Sequence, residues 1–300
     1  MIQLPSGLDI GNLVHDLRDF SWEASDILLY YSQILKDSKD KSNFLKNVDN
    51  NEPVTIADLK VNEIIIQKIN EKYKDINWEI LSEENVKKDT YNTTKYSEWT
   101  WVLDPLDGTK DFIQGTGNYA MHLALNYKQN PYIGIVLIPE KDELWIANGK
   151  RTWCEKRDGS ILKPQLSNHK TLEEMILVTS KNHRNKALKN LIKRIDFKEV
   201  QTMGSIGCKI ANILRGESDI YISLSTPGKS SPKDWDFAAP EAILIENGGA
   251  ITNLDNEKLT YGNSKFEQRG VIIASNNREN HKLVCLQIKK VIEEFNILSN

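Results

Sequence analysis

The spacing of apolar positions predicts two long helices in the first quarter of the chain. Between Leu8 and Leu35, apolar residues recur every three or four positions, which is typical of an amphipathic helix. A polar stretch, KDSKDKSN, follows this helix. A second helix is predicted from about Ile56 to Tyr73, with Thr55 as its N-cap. Each helix has one apolar face through which it is expected to pack.

The middle of the chain has the composition and the turn signals of β-structure. The run WTWVL, Trp99 to Leu103, favours a strand that we expect to stop at Asp104-Pro105, because proline cannot continue a central strand. Further strands are predicted at Ala120 to Tyr127, Ile133 to Ile138, Glu143 to Ala147 and Thr152 to Lys156, with turn residues between them. Together they predict an antiparallel meander.

After about Ser167 the pattern changes to alternating strands and helices. Strands are predicted at Met175 to Thr179, Asp219 to Ser223 and Gly270 to Ala274. Helices are predicted at Asn185 to Arg194, Gly207 to Arg215, Trp235 to Glu246 and from about Asn280 onward. The predicted fold class is therefore α/β, with an α+β lobe at 1–168 and an α/β lobe at 169–300.

Composition and charge narrow the function classes. The 300 residues are 39% hydrophobic and 27% charged, as in ordinary globular proteins. The net charge of −3 gives no excess positive field, so a nucleic-acid polymer is not an expected partner. The three cysteines form no CxxC pair, which suits reduced thiols. The N-terminal MIQLPSGLDIGN has no signal-peptide pattern and no stretch predicts a membrane span, so we expect a cytoplasmic protein without a membrane partner.

The segment WVLDPLDGTKDF places two carboxylates at the end of a predicted strand. A turn with Asp104 first and Pro105 second directs the carboxylates of Asp104 and Asp107 toward one side, where they could bind a hard cation. The backbone amides of Gly108 and Thr109 could hold a phosphate oxygen. The alternative is a tight surface turn, since Asp, Pro and Gly are common turn residues.

Further acids follow other predicted elements. Glu83 and Glu84 in LSEEN come after a β-like run, and a solvated pair is the alternative interpretation. Asp236 in DWDFAAPEAILIENGG lies at the start of a predicted helix, where it could bind a cation or simply complement the helix dipole, with Asp234 as a possible N-cap.

Asp58, in PVTIADLK, has two interpretations of equal weight. It follows Thr55 by three residues, which is the spacing of a capping box. The other interpretation is a catalytic carboxylate. The five histidines show no HExxH spacing, and the chain lacks GxSxG, GxxxxGK[ST] and GxGxxG, so zinc, serine-hydrolase, P-loop and dinucleotide sites are disfavoured.

Four motifs together carry a family resemblance. VTIAD, LSEE, DPLDGTKDF and WDFAAPEAILIENGG resemble, in order and spacing, the magnesium-dependent, lithium-sensitive phosphatases related to inositol monophosphatase. The resemblance extends over roughly residues 53 to 275. Within that superfamily the ending Lys110-Asp111-Phe112 is similar to 3′(2′),5′-bisphosphate nucleotidases. The resemblance implies a layered α/β sandwich that is usually a homodimer. It also implies that the lobe at 1–168 carries metal-binding acidic motifs and that the lobe at 169–300 closes the active site and recognises substrate.

The resemblance also implies a set of metal ligands. Glu83, Asp104 and the carbonyl of Leu106 would bind one Mg²⁺, and Asp104, Asp107 and Asp236 would bind a second. Glu83 would help to hold a third, weaker ion. Carboxylates and a carbonyl are the ligands that Mg²⁺ prefers, and two such ions activate a water and neutralise a leaving oxygen.

The remaining implied roles are catalytic. Asp58 and Thr109 resemble the pair that orients and deprotonates the attacking water, with Glu83 contributing through its ion. The residues implied to contact the substrate phosphate and its ions are Asp107, Gly108, Thr109 and Asp236.

Two segments resemble nucleotidase segments that contact adenosine and the second phosphate. They are SKNH and GSIGCK, which make His183, Ser205 and Lys209 candidates for substrate binding. The match has two departures. Ser205 lies four residues before Lys209 instead of three, and Ser223 stands where the nucleotidases have an arginine. Lys229 or Lys233 could supply the missing charge.

The leading hypothesis is hydrolysis of the 3′-phosphate of adenosine 3′,5′-bisphosphate to AMP, in sulfate assimilation. A second hypothesis is an inositol or other sugar-phosphate phosphatase with the same metals, favoured by Ser223. A third, from another class, is a catalytically silent metal-binding regulatory or scaffold protein.

Overall fold

The computed structural model describes residues 2–5, 7–38, 40, 44–46, 54–88, 97–182, 184–226 and 231–299. The α-helices are α1 Ile10–Asp37, α2 Ile56–Lys72, α3 Glu83–Lys87, α4 Thr109–Gln114, α5 Lys186–Arg194, α6 Ile206–Leu214, α7 Asp234–Ile245 and α8 Arg278–Glu294. The strands are β1 Leu45–Lys46, β2 Val54–Thr55, β3 Glu79–Ser82, β4 Trp99–Asp107, β5 Ala120–Tyr127, β6 Asn130–Ile138, β7 Glu143–Ala147, β8 Thr152–Glu155, β9 Ile161–Leu162, β10 Ile176–Ser180, β11 Glu199–Met203, β12 Ile220–Leu224, β13 Ala250–Asn253 and β14 Val271–Ser275.

The first large sheet contains the predicted meander. Its order is β3-β4-β5-β6-β7-β8-β9; β3 runs parallel to β4 and every later pair is antiparallel. The order follows the chain because short turns join antiparallel neighbours.

The second large sheet has the order β11-β10-β12-β14-β13, with β10 parallel to β11 and β12 and with β14 antiparallel to its two neighbours. Two of its strands, β11 and β13, were not predicted. Both lie at sheet edges, and β11 is largely exposed. Neither has a continuous apolar run from which a strand could be predicted.

The fold has five layers, because side chains alternate between the two faces of each sheet and helices pack on both faces. On β5, Leu123 and Leu125 pack toward α1 and α2, while Ala124 packs toward α6 and α7. On β12, Tyr221 faces the same α6–α7 layer, and Ile222 faces α5 and α8. Helices therefore cover the outer face of each sheet and fill the space between the sheets, which confirms the predicted layered α/β sandwich.

The middle layer brings α7 very close to the first sheet. A Cβ atom on Gly134 of β6 would lie 2.6 Å from Cβ of Ala242 and 2.8 Å from the carbonyl oxygen of Ala239. Glycine is required there because the helix backbone approaches the strand directly. The strands of the two sheets fall on either side of residue 168, and the division into lobes at that position stays a prediction.

Two details differ from the sequence-based expectations. Strand β4 continues through Pro105 to Asp107, because the pairing with β5 shifts between Asp104 and Asp107 and so does not need the missing proline N–H. The N-cap of α7 is Lys233, not Asp234. Asp234 is the first helical residue, and its carboxylate accepts hydrogen bonds from Gly262 N and Gln268 Nε2.

Other sequence-based expectations agree with the structure. Thr55 is the N-cap of α2. The three cysteines are free and buried. Among the described residues, no helix has the length and apolar character needed to cross a membrane.

A buried glutamate on α7 makes the stability of the fold depend on pH. Glu241 accepts a hydrogen bond from the Tyr261 hydroxyl, and burial raises the pKa of its carboxyl from the usual 4.5 to about 7. The folded state therefore binds more protons than the unfolded state between these pH values, so the free energy of unfolding falls as pH rises through that window.

The substitution Glu241→Gln removes this ionisation while keeping an acceptor for Tyr261. The variant is expected to be more stable than the parent at pH 8, by up to about 3 kcal/mol, and to differ much less near pH 4.5. Urea unfolding at both pH values measures the difference. Glu173→Gln, at an exposed position, is the control and should show no such pH dependence. An equal difference at both pH values would contradict the burial argument.

Candidate active site

Three carboxylates from distant parts of the chain meet beside the end of β4. Asp104 and Asp107 come from the two sides of the irregularity in β4, and Asp236 comes from the first turn of α7. One oxygen from each residue lies within 4.8 Å of the others. Asp104 is buried, and the other two are partly exposed. The predicted convergence of these acids on one place is present in the structure.

Asp107 is oriented by the start of α6. Its Oδ2 accepts hydrogen bonds from Ser205 Oγ at 2.7 Å, from the Ile206 amide, and from the Gly207 amide at 3.4 Å. His122 Nε2, fully buried, lies 3.4 Å from the same oxygen. Amides at a helix N-terminus favour a negative charge. Donors to Oδ2 thus fix the rotation of the carboxylate, and no described residue donates to Oδ1.

Asp104 is buried among the other acids of the site. Burial, followed by the charges of Glu83, Asp107 and Asp236, raises the pKa of Asp104 well above its usual range. Its Oδ1 accepts a hydrogen bond from the Leu106 amide at 3.0 Å. The cluster therefore holds more negative charge than its own hydrogen bonds compensate.

Glu83 joins the cluster from the first turn of α3. It lies within hydrogen-bonding reach of Asp104, and its Oε1 is 2.8 Å from Lys87 Nζ. The neighbouring Glu84 is almost fully buried. Glu83 is thus close to the metal-ligand candidates, and it is held by an ammonium group.

The donor set fits a hard divalent cation. Carboxylate oxygens at the separations found for Asp104, Asp107 and Asp236 match the oxygen coordination of Mg²⁺. The raised pKa of Asp104 also favours a cation here. Burial and the neighbouring carboxylates disfavour its charged form, and a bound cation would stabilise that form. An acidic cluster of this kind is more stable with a cation than without one.

Asp58 and Thr109 form a second group beside the cluster. The predicted capping box exists: Asp58 Oδ2 accepts from the Thr55 amide at 2.8 Å and from Thr55 Oγ1 at 2.5 Å. The other oxygen, Oδ1, lies 3.4 Å from Thr109 Oγ1, which is also 3.1 Å from the Leu106 carbonyl oxygen. Burial raises the pKa of Asp58 to about 7. The structural and catalytic interpretations of Asp58 are therefore compatible.

Gly108 allows the chain to turn tightly between β4 and α4. Its φ of +87° is a left-handed conformation, and a Cβ atom there would lie 3.0 Å from the Asn118 carbonyl oxygen and from the Ser205 amide nitrogen. A side chain would strain the turn and crowd the start of α6. Thr109 follows this turn directly as the first residue of α4.

The three substrate-binding candidates have different positions. Ser205 is buried as the N-cap of α6, where it accepts from Cys208 N and donates to Asp107. Lys209 is also buried; its Nζ donates to the carbonyl oxygens of Gly204 and Ser205 and lies 5.3 Å from the Tyr221 ring. His183 lies outside the described residues. Substrate binding by these residues stays a prediction.

Two lysines, Lys233 and Lys229, are the candidates for supplying the charge of the missing arginine. Lys233 Nζ lies 3.3 Å from Glu267 Oε1 and from the Lys265 carbonyl oxygen. Lys229 lies outside the described residues. Ser223 is a partly buried residue of β12.

Sequence reasoning missed several residues of the site. His122 lies within the apolar strand β5, and nothing in that pattern indicates a role beside Asp107. Lys87 follows Glu83 by four residues, a helical ion-pair spacing that was available as a signal. Asp111 is buried and accepts from Asn182 Nδ2 at 2.8 Å, which ties the DGTKDF motif to the SKNH segment.

Comparison with known proteins agrees with this geometry. Residues 17–293 match the model of the inositol monophosphatase family. The 3′(2′),5′-bisphosphate nucleotidase CysQ of Buchnera aphidicola is 32% identical over 213 residues, which are 70% of this chain and 75% of the relative. The protein of the same name from Haemophilus influenzae is 30% identical over 223 residues, 71% of this chain and 76% of the relative.

Solved structures show the same fold. The inositol monophosphatase from Anabaena sp. PCC 7120 superposes with a TM-score of 0.70 at 20% identity, covering 94% of this chain and 97% of that one. Inositol monophosphatase II from Staphylococcus aureus gives a TM-score of 0.67 at 24% identity, with 92% and 97% covered. With the family match and the assembled acidic cluster, these findings show that the chain belongs to the inositol monophosphatase family and is a phosphatase.

Proposed function

We propose that the protein hydrolyses the 3′-phosphate of adenosine 3′,5′-bisphosphate to give AMP and inorganic phosphate. The observation that carries the proposal is the meeting of Asp104, Asp107 and Asp236 within 4.8 Å, with Asp58 and Thr109 beside them. Curated relatives named 3′(2′),5′-bisphosphate nucleotidase support this substrate class.

The chain's own carboxylates would hold two Mg²⁺ ions. Asp104 and Asp236 would contribute oxygens together with Oδ1 of Asp107, since Oδ2 of Asp107 is engaged by α6. Glu83 and the Leu106 carbonyl would complete the set. Bound Mg²⁺ would lower the pKa of a water and neutralise negative charge on the phosphate.

Asp58 would receive the proton of the attacking water. Its Oδ2 is fixed by Thr55, whereas Oδ1 is directed toward Thr109 Oγ1. Thr109 can accept from the water and donate to Asp58, so the hydroxyl positions the nucleophile and passes its proton on. The amides of Gly108 and Thr109 are proposed to contact the phosphate.

The DGTKDF motif supports the nucleotide substrate through Asp111. Its carboxylate accepts a hydrogen bond from Asn182 Nδ2, and Asn182 precedes in sequence His183, the candidate for contact with adenosine. Ser223 favours the rival substrate, an inositol or sugar phosphate, because no arginine is present at that position.

A substrate comparison separates the two activities. We expect kcat/KM for adenosine 3′,5′-bisphosphate to exceed that for inositol 1-phosphate by at least about tenfold, the scale of one well-placed polar contact. Phosphate release should stop when a chelator removes divalent cations and return when Mg²⁺ is added. Preference for inositol 1-phosphate would replace the nucleotidase proposal, and absence of phosphate release from either would favour a silent metal-binding protein.

A further inference from the structure

Lys87 lies among carboxylates at the edge of the candidate metal cluster. Its Nζ is 2.8 Å from Glu83 Oε1 and 3.3 Å from Glu84 Oε1. The Lys87 side chain is only 17% exposed, and that of Glu84 only 2%. The carboxylate of Asp58 is close enough to interact with the same ammonium group. The contact is therefore a partly buried ion pair and not a solvated surface pair.

The local structure explains how the ammonium reaches this place. Glu83, Glu84 and Lys87 belong to α3, where residues three and four positions apart share one face. The helix begins at Glu83, directly after β3, so its first turn faces the end of β4. Because α3 is so short, the turn that positions Glu83 also positions Lys87.

The charge balance shows what the ammonium does. The lysine ammonium is positively charged and lies against the carboxylates of Glu83 and Glu84, so it offsets negative charge at this edge of the cluster. The contact is with Oε1 of Glu83, so the ammonium lies where a further cation would have to approach that oxygen. A cation bound to that oxygen would have to displace the ammonium or accept its repulsion at close range.

We propose that the Lys87 ammonium occupies the position of a further cation at Glu83 Oε1, so that the acidic cluster binds the two divalent cations of the proposed function and not a third. The proposal rests on the metal-dependent function given above and concerns a residue that this function does not use. The two ions of the proposed function, one of which Glu83 would also contact, are unaffected. Lys87 is a positioning residue, because it acts on Glu83 and not on the substrate.

The test counts bound ions without substrate. Mn²⁺ replaces Mg²⁺ as the probe, and the free ion is measured by electron paramagnetic resonance during titration of the metal-free protein. We expect two Mn²⁺ per chain for the parent protein and three for Lys87→Met, which keeps the length of the side chain and removes its charge. Lys87→Arg should bind two. Lys88→Met removes the same charge from the next, exposed position and should also bind two.

Each outcome decides one question. A third ion in Lys87→Met alone supports the proposal, and a third ion in both methionine variants would show only a general effect of charge. Two ions in every variant, even with tighter binding, would overturn the proposal while leaving the phosphatase assignment intact. Absence of Mn²⁺ binding by the parent protein would instead contradict the proposed function. Thermal melts without metal establish that each variant is folded, and Lys87→Gln replaces Lys87→Met if the latter is not.

Discussion

Replacing Asp104 with Asn is expected to lower kcat/KM for phosphate release by at least about 10³-fold. Asp104 is buried, and Glu83, Asp107 and Asp236 all lie close enough to contribute to its raised pKa. The proposed ions share this carboxylate, so its neutralisation weakens both sites at once. Initial rates at saturating Mg²⁺ measure the effect.

Stability separates this loss of activity from misfolding. Because burial and repulsion disfavour the charged form of Asp104, an amide of the same shape should leave the melting temperature without metal unchanged or higher. Asp75→Asn, at an exposed position, is the matched control and should keep full activity. A folded Asp104→Asn protein with near-normal turnover would show that phosphate release does not use this cluster.

Removing the hydroxyl of Thr109 is the second large change. Thr109→Ala is expected to slow kcat by about 10² or more, the usual scale for losing part of a general-base system, while metal binding remains. The reason is the position of Oγ1 between Asp58 Oδ1 and the Leu106 carbonyl. Single-turnover rates and Mn²⁺ titration provide the two measurements.

Conservative variants give the controls for this prediction. Thr109→Ser keeps the hydroxyl and should retain most of the rate. Asp58→Asn should be as slow as Thr109→Ala, because the amide cannot take a proton. If Thr109→Ala turns over normally, the water must be activated by another group.

The same pair predicts a pH dependence. Asp58 must be ionised to accept a proton, and burial raises its pKa to about 7 without a cation nearby. Bound divalent cations stabilise the ionised form, so kcat/KM is expected to fall on the acid side at or below that value. The acid limb should be lost in Asp58→Asn.

The sequence predicted which acids meet at the site better than it predicted the contacts that hold them in place. Asp104 and Asp107 lie in one short motif at a strand end, so their proximity is a local property. Asp236 lies far along the chain, and its approach depends on α7 packing against Gly134 of β6, which no local pattern reveals. The resemblance to known phosphatases supplied that link.

Other features depended on tertiary contacts that the sequence pattern could not show. Tertiary packing and strand pairing determine that His122 lies beside Asp107 and that the Lys209 side chain is buried at the start of α6. The continuation of β4 through Pro105 was missed because the rule for proline assumes regular pairing, and here the pairing shifts. Ser205 combines an N-cap role with a hydrogen bond to Asp107, so its spacing from Lys209 follows the geometry of the helix start.

The central claim is that acids from separate parts of the chain bind the same divalent cations. Anomalous diffraction from crystals grown with Mn²⁺ tests this most directly. The account predicts a strong peak within bonding distance of oxygens from Asp104, Asp107 and Asp236 together, about 2.2 Å away as for other oxygen-bound cations of this size. Peaks elsewhere, with these three carboxylates free of metal, would contradict it.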